Sequence, residues 1–145
     1  VSVGAGYANL ALNKPATGST ACNSSETPAK AVNGSVSGGT TDKFCSLVSG
    51  AWMQVDLGSA QTVSSFTVQH AGAGGEASTW NTRAFTLQTS TNGTTWSTPV
   101  TVTNNTANTS THAISATSAR YIKLNVTTPS QNGDPATRIY ELEVR

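Results

Sequence analysis

The stretch HAGAGGEASTWNTR at 70–83 gathers an imidazole, a carboxylate, an indole, an amide and a guanidinium in His70, Glu76, Trp80, Asn81 and Arg83. Gly72, Gly74 and Ala77 in the same stretch match G-x-G-x-x-G/A, the loop that cradles a dinucleotide pyrophosphate. Such a loop must open a helix whose N-terminus holds the anion, inside a strand–helix–strand unit. Here STWNTR at 78–83 runs straight into FTLQTS at 85–90, which alternates as a strand, and no acid lies near position 95 to take a ribose. The match is accidental. Acid–base catalysis fares no better. Glycoside hydrolysis needs two carboxylates facing one another across a cleft. The seven acids Glu26, Asp42, Asp56, Glu76, Asp134, Glu141 and Glu143 show no spacing that pairs two of them in that way. A nucleophilic serine on a strained turn would read G-x-S-x-G, and that motif does not occur. The chain is therefore expected not to be an enzyme.

The elements that must hold this loop are strands. No run has the 3.6-residue period of a helix, whereas short alternating runs recur at 52–57, 62–69, 85–90, 99–102, 111–115, 120–127 and 137–144, with a leading strand at 9–13. Asn92-Gly93 between two of them is a hairpin turn signal. About eight half-buried strands with turns between them predict an all-β antiparallel sandwich of the jelly-roll kind. Trp52 is assigned to its core and Trp96 to hairpin packing. The domain is expected over 9–145, with 1–8 as a linker and the chain as a processed piece of something larger.

Composition narrows the function further. Charged residues make up 10% of the 145, against roughly a quarter in an average globular chain. In their place stand 42 Ser and Thr and 11 Asn, so the surface is uncharged but rich in hydrogen-bonding groups. A net charge of +1 with scattered basic residues leaves no footprint for nucleic acid or an anionic membrane. Cys22 and Cys45 in such a chain suggest an exported protein with one disulfide, the alternative being two free buried thiols.

Seven segments in order carry a resemblance: LALNKPATGSTAC at 10–22, PAKAVNGSVSGG at 28–39, DKFCS at 42–46, WMQVDLG at 52–58, AFTLQTSTNGTTW at 84–96, ARYIKLNV at 119–126 and RIYELEV at 138–144. Together they resemble the discoidin, or coagulation factor 5/8 type C, domain, and more narrowly carbohydrate-binding module family 32. Phe44 stands where the family more often has Trp. The resemblance implies a galactose-binding-like jelly roll, a structural calcium ion, and a glycan site in the loops at one end. For calcium it implies Asn33, Thr41 or Asp42, and Glu141, with carbonyls near Lys30 and Ser35. Asn33 replaces a more usual Asp, which removes one negative charge from the site.

For the glycan, the resemblance turns attention back to 70–83. A sugar site needs an aromatic face for C–H surface and planar polar groups for hydroxyls. His70, Glu76, Trp80, Asn81 and Arg83 supply both, and Gln131, Asn132 and Asp134 from the loop 128–138 could form the far wall. The loop holding Asn23 and Glu26 is a third candidate wall. The expectation is a monomeric, secreted, bacterial, non-catalytic module. It would hold an attached glycan-active catalytic domain near galactose-type sugars, galactose or N-acetylgalactosamine. The alternative is a spacer or protein-contact domain without a ligand. A phospholipid-binding role is set aside because the loops read as polar, without apolar tips or a basic collar.

Overall fold

Met53, Val55 and Leu57 alternate with Trp52, Gln54 and Asp56, and only the first set is buried, which is the pattern of a strand with one face on a core. The computed structural model describes residues 8–145, so the linker expected over 1–8 lies outside them save for Ala8. Among the described residues there are eight strands: β1 (Ala16–Gly18), β2 (Phe44–Ser46), β3 (Trp52–Gln69), β4 (Ala84–Ser90), β5 (Ser97–Val102), β6 (Thr109–Thr128), β7 (Thr137–Ile139) and β8 (Glu141–Val144). All pairings are antiparallel. One sheet has the order β1-β3-β6-β4-β5, with β8 also on β3, and β2 pairs with β7 in a second, small sheet.

β3 and β6 are long strands that each join two runs separate in the sequence pattern. The first half of β3 pairs with β1 and the second half of β6; its second half pairs with the first half of β6 and with β8. Both halves nonetheless feed one core, in which Met53, Val55, Val63, Phe66 and Val68 meet Phe85, Leu87, Ile122, Leu124, Leu142 and Val144. The sheet therefore wraps around a single interior as a sandwich. Irregularities in register allow this. Between Val63 and Ser65 the pairing slips, and the N–H groups of Ser64 and Ser65 both donate to the Arg145 carbonyl, at 2.7 and 2.8 Å. A bulge shifts the side-chain phase by one residue, so buried positions change from odd (Val63) to even (Phe66, Val68).

Four expectations change. Residues 9–13 form a turn, not a strand: the Asn9 side chain accepts from Ala11 N–H at 3.1 Å and from Val144 N–H at 3.0 Å. The run 137–144 divides at Tyr140, so β7 pairs with β2 while β8 pairs with β3. Trp52 is half-buried on the outer face of β3, because its neighbour Met53 takes the core position. The loops are not uniformly polar, since Leu47 and Val48, after β2, are 61% and 41% exposed. The Asn92-Gly93 turn does join β4 to β5: Ser90 and Asn92 side chains accept the N–H groups of residues 92–95, and Gly93 takes φ 79°.

Candidate functional site

Three segments distant in sequence meet at one end of the sandwich. The first is 22–26, tied to β2 by the Cys22–Cys45 disulfide and by Cys45 N–H donating to the Glu26 carbonyl at 3.1 Å. Lys43, just before β2, forms the second. The third is the loop 70–83, packed beside Arg138 and Tyr140. Lys43 is 5% exposed, and its Nζ lies 2.7 Å from Glu26 Oε2 and 3.2 Å from Glu76 Oε2; it also donates to the Thr40 carbonyl. Burial pushes the Glu26 carboxyl up, but hydrogen bonds from Lys43 and Asn23, with the Lys43 charge, bring it below its ordinary value. Tyr140 donates from its hydroxyl to Glu76 Oε2 at 2.6 Å, and its own ionisation is pushed well up by burial and then by that bond. Arg138, opposite Cys45 across the small sheet, reaches Asp134 Oδ1 at 3.0 Å and Glu76 Oε1 at 3.7 Å. Its guanidinium carbon lies 4.1 Å from the Trp80 ring centroid.

Two of the three glycines of 70–83, Gly72 and Gly74, are there for close packing. A Cβ on Gly74 would stand 2.0 Å from a Tyr140 ring carbon, and one on Gly72 would stand 2.0 Å from Asn108 Oδ1. This approach turns the loop through 3₁₀ turns at Ala71–Gly74 and Ser78–Trp80 and brings Glu76 and Trp80 over the strand end.

The sequence-predicted residues separate into three groups, the third being the exposed Asn132 and Arg83. Glu76, Trp80 and Asp134 come together with Arg138, Lys43 and Glu26. His70, Asn81 and Gln131 act as scaffold. His70 is 0% exposed, with Nε2 on Ser110 Oγ at 2.9 Å and its ring 5.6 Å from that of Phe85, and burial lowers its pKa to about 4. Asn81, also 0% exposed, accepts from Gly72 N–H at 2.8 Å and donates to Asn108 Oδ1 at 2.9 Å. The Gln131 amide donates to the carbonyls of Asn81 and Asn105 at 2.8 and 2.9 Å, joining the two loops. Asn132 is exposed and accepts from Asp134 N–H at 3.2 Å. Arg83 is exposed and makes no ion pair among the described residues, whereas Glu76 and Asp134 pair with Arg138. Lys43 and Tyr140 were missed, and only the placement of Lys43 two residues before a disulfide cysteine hinted at its position. A groove of about 260 Å³ adjoins the cluster, lined by Leu47, Val48, Pro129, Asp134 and Pro135 among others, so Asp134 borders both.

Of the residues named for calcium, Asn33, Ser35, Asp42 and Glu141 lie together elsewhere, while Thr41 is exposed and, among the described residues, no side-chain hydrogen bond joins it or Lys30 to that group. Glu141 is 2% exposed, its Oε2 accepts from Gly34 N–H at 3.1 Å, and its Oε1 has no partner. Asn33 Nδ2 donates to Asp42 Oδ1 at 2.6 Å, and Ser35 N–H donates to Asn33 Oδ1 at 3.0 Å. Burial raises the Glu141 pKa to about 8, and the charges of Glu143 and Asp42 add to the rise. A buried carboxylate oxygen without a donor, beside a second buried carboxylate, fits a hard cation. Among the described residues no cluster of three or more carboxylate, imidazole or thiolate groups of metal-binding form exists, so backbone carbonyls would have to complete the shell.

An antiparallel sandwich with an aromatic ring and fixed polar groups gathered on its end loops is a ligand-binding scaffold. The sequence profile of the F5/8 type C domain matches residues 15–142, and the chain belongs to that family. Its structure is similar to the family 32 carbohydrate-binding module from Streptococcus pneumoniae EndoD, with 26% identity and a TM-score of 0.82 over 95% of this chain and 99% of that one. It is also similar to chitosan-binding module 1 of a Paenibacillus sp. IK-5 chitosanase/glucanase, with 28% identity and a TM-score of 0.76 over 96% and 99%. A Clostridium perfringens module, CpGH89CBM32-5, solved with GalNAc-β-1,3-galactose, shares the fold at 17% identity and a TM-score of 0.76 over 94% and 99%. No curated protein matches.

Proposed function

We propose that this chain is a non-catalytic carbohydrate-binding module whose site is the loop end around Trp80. The observation that carries the reading is the convergence of Trp80 with Glu76, Asp134, Arg138, Lys43 and Glu26, which ion pairs and a disulfide hold in place before any ligand arrives. Preorganised planar acceptors and donors beside an indole are what a sugar ring demands, and fixing them in advance lowers the cost of binding. Single-site affinity is expected between millimolar and tens of micromolar, about −4 to −6 kcal/mol. Linkage to a catalytic domain in a secreted parent would turn such weak binding into residence on the substrate through effective concentration. A calcium ion held by Asn33, Asp42 and Glu141, with Thr41 and the Lys30 and Ser35 carbonyls as further oxygens, would pin the 33–42 loop to β8 and take no part in sugar chemistry.

Galactose-type ligands, terminal galactose or N-acetylgalactosamine, are the first candidates by family resemblance. The cluster itself favours a second class. Its three acids against two bases leave one net negative charge, which suits an amino sugar, in keeping with the chitosan-binding relative. The test is a glycan array probed with the purified domain in millimolar calcium, carrying both classes. Binding to either class supports the module, and which class is bound decides between the two specificities. Silence across the array would return the domain to the spacer reading.

A further inference from the structure

The loop-end site uses one of the three tryptophans. The other two lie on the outer face of the sheet. Trp52, Gln54 and Asp56 point outward from β3, and register carries that face across β6, where they oppose Asn125, Lys123 and Tyr121. On the far side of β6, Asn125 and Lys123 oppose Thr86 and Gln88 of β4. Every one of these side chains is half-buried. Trp96, from the turn between β4 and β5, folds over the same face. Lys123 Nζ lies 5.0 Å from the Trp52 ring centroid and 5.7 Å from that of Trp96, so one ammonium bridges two indoles from different elements.

Of the other polar side chains here, Asn125, Gln88, Thr86 and Asp56 are paired, whereas Gln54 and Tyr121 make no side-chain hydrogen bond among the described residues. Asn125 Nδ2 donates to Gln88 Oε1 at 2.8 Å and to Thr86 Oγ1 at 3.3 Å, and Gln88 Nε2 donates to Thr98 Oγ1 at 3.0 Å. Arg120 holds Asp56 through two bonds, at 2.9 and 3.1 Å, and lies 5.1 Å from the Tyr121 ring centroid. Lys123 is unpaired too. Among the described residues it makes no ion pair and no hydrogen bond, so its three N–H donors face two indoles and solvent. A ring face attracts the charge but does not accept those donors as oxygen would.

We propose that this face is a second binding surface, for a glycan chain carrying fixed negative charge as uronate or sulfate ester. Lys123 takes the anion, Trp52 and Trp96 pack against the C–H faces of neighbouring sugars, and Gln54, whose amide is unpaired, meets hydroxyls. Charge complementarity selects this occupant: the face has one uncommitted cation, and its one anion, Asp56, is neutralised by Arg120. A strip spanning three strands suits an extended polymer. A protein partner is disfavoured because the large apolar residues that are exposed, Leu12, Leu47 and Val48, lie off this face.

The test follows the indole N–H signals of Trp52, Trp80 and Trp96 by NMR during titration with a galacturonate hexamer, a heparin-derived hexasaccharide and neutral cellohexaose. Saturable shifts at Trp52 and Trp96 with either charged chain are expected, and the chain that acts tells carboxylate from sulfate. Lys123→Gln should weaken that binding about tenfold, Lys123→Arg should retain it, and Trp80→Ala should leave it intact. Shifts with neither charged chain, shifts confined to Trp80, or equal shifts with cellohexaose that persist in Lys123→Gln would each overturn the proposal. If Lys123→Gln lowers the melting temperature while the wild-type signals stay still, the lysine only fastens the β4–β5 turn to the sheet.

Discussion

The Arg138 guanidinium lies against the Trp80 ring, 4.1 Å from its centroid, and the same arginine is bonded to Asp134. A strand residue thereby fixes an indole carried by a loop, and the carboxylate of a second loop locks the arginine in turn. The stack covers one face of the ring, and the residue as a whole is half-buried.

Because Trp80 is half-buried and outside the main hydrophobic core, its removal should act on binding more than on folding. Trp80→Ala is expected to weaken glycan binding by about tenfold or more, which is about 1.4 kcal/mol, with only a small fall in melting temperature. Isothermal titration with the best array ligand, beside a thermal melt, checks both. An unfolded variant would make the indole part of the core and move the site elsewhere.

Lys43 stands between two carboxylates at 5% exposure. Lys43→Met leaves Glu26 and Glu76 without their shared cation, and breaking a buried ion pair from one side costs about 3 kcal/mol or more. Urea denaturation should show that loss. Adding Glu26→Gln to the variant should recover part of it, and a variant as stable as the wild type would refute the cluster's role in organising the loops.

His70 sets a pH dependence whose sign is fixed by its burial. The folded chain holds the neutral imidazole down to about pH 4, whereas the unfolded chain takes up the proton near 6.5. Its contribution to stability is therefore complete above pH 6.5 and is lost as the pH falls toward 4, by about 3 kcal/mol. Denaturation curves of wild type and His70→Asn across that range should converge toward the acid end. Parallel curves would show that His70 does not carry the dependence.

Calcium should raise the melting temperature in a saturable way, since a ligand bound only by the folded state stabilises it by about 2.7 kcal/mol at one hundred times its dissociation constant. Glu141→Gln keeps the shape of the side chain but removes the charge, so it should abolish the calcium-dependent rise. A chelator should reverse the rise in the wild type. No calcium effect in the wild type would leave the Glu141 oxygen as a plain unsatisfied group.

Alternation at 52–57, 85–90 and 120–127 was enough to place strands, because a period of two on one buried face is a local property of the chain. The Asn92-Gly93 turn and the paired cysteines were legible for the same reason: each states its chemistry within a few residues. The site was legible only in part. Trp80 and Glu76 announced themselves by type, yet His70 and Asn81, in the same loop and equally polar, are enclosed. What separates them is which way the loop turns, and that depends on Gly74 meeting Tyr140 and Gly72 meeting Asn108, contacts with residues remote in sequence. Lys43 likewise gained its role only when 22–26 and 70–83 were brought to it. Local pattern was enough for most of the strands, the turn and the stock of side chains, but not for the turn at 9–13 or the division of 137–144 at Tyr140. Which of those side chains are enclosed and which gather at the loop end was settled only by the fold, because convergence of loops is set by long-range packing and strand register.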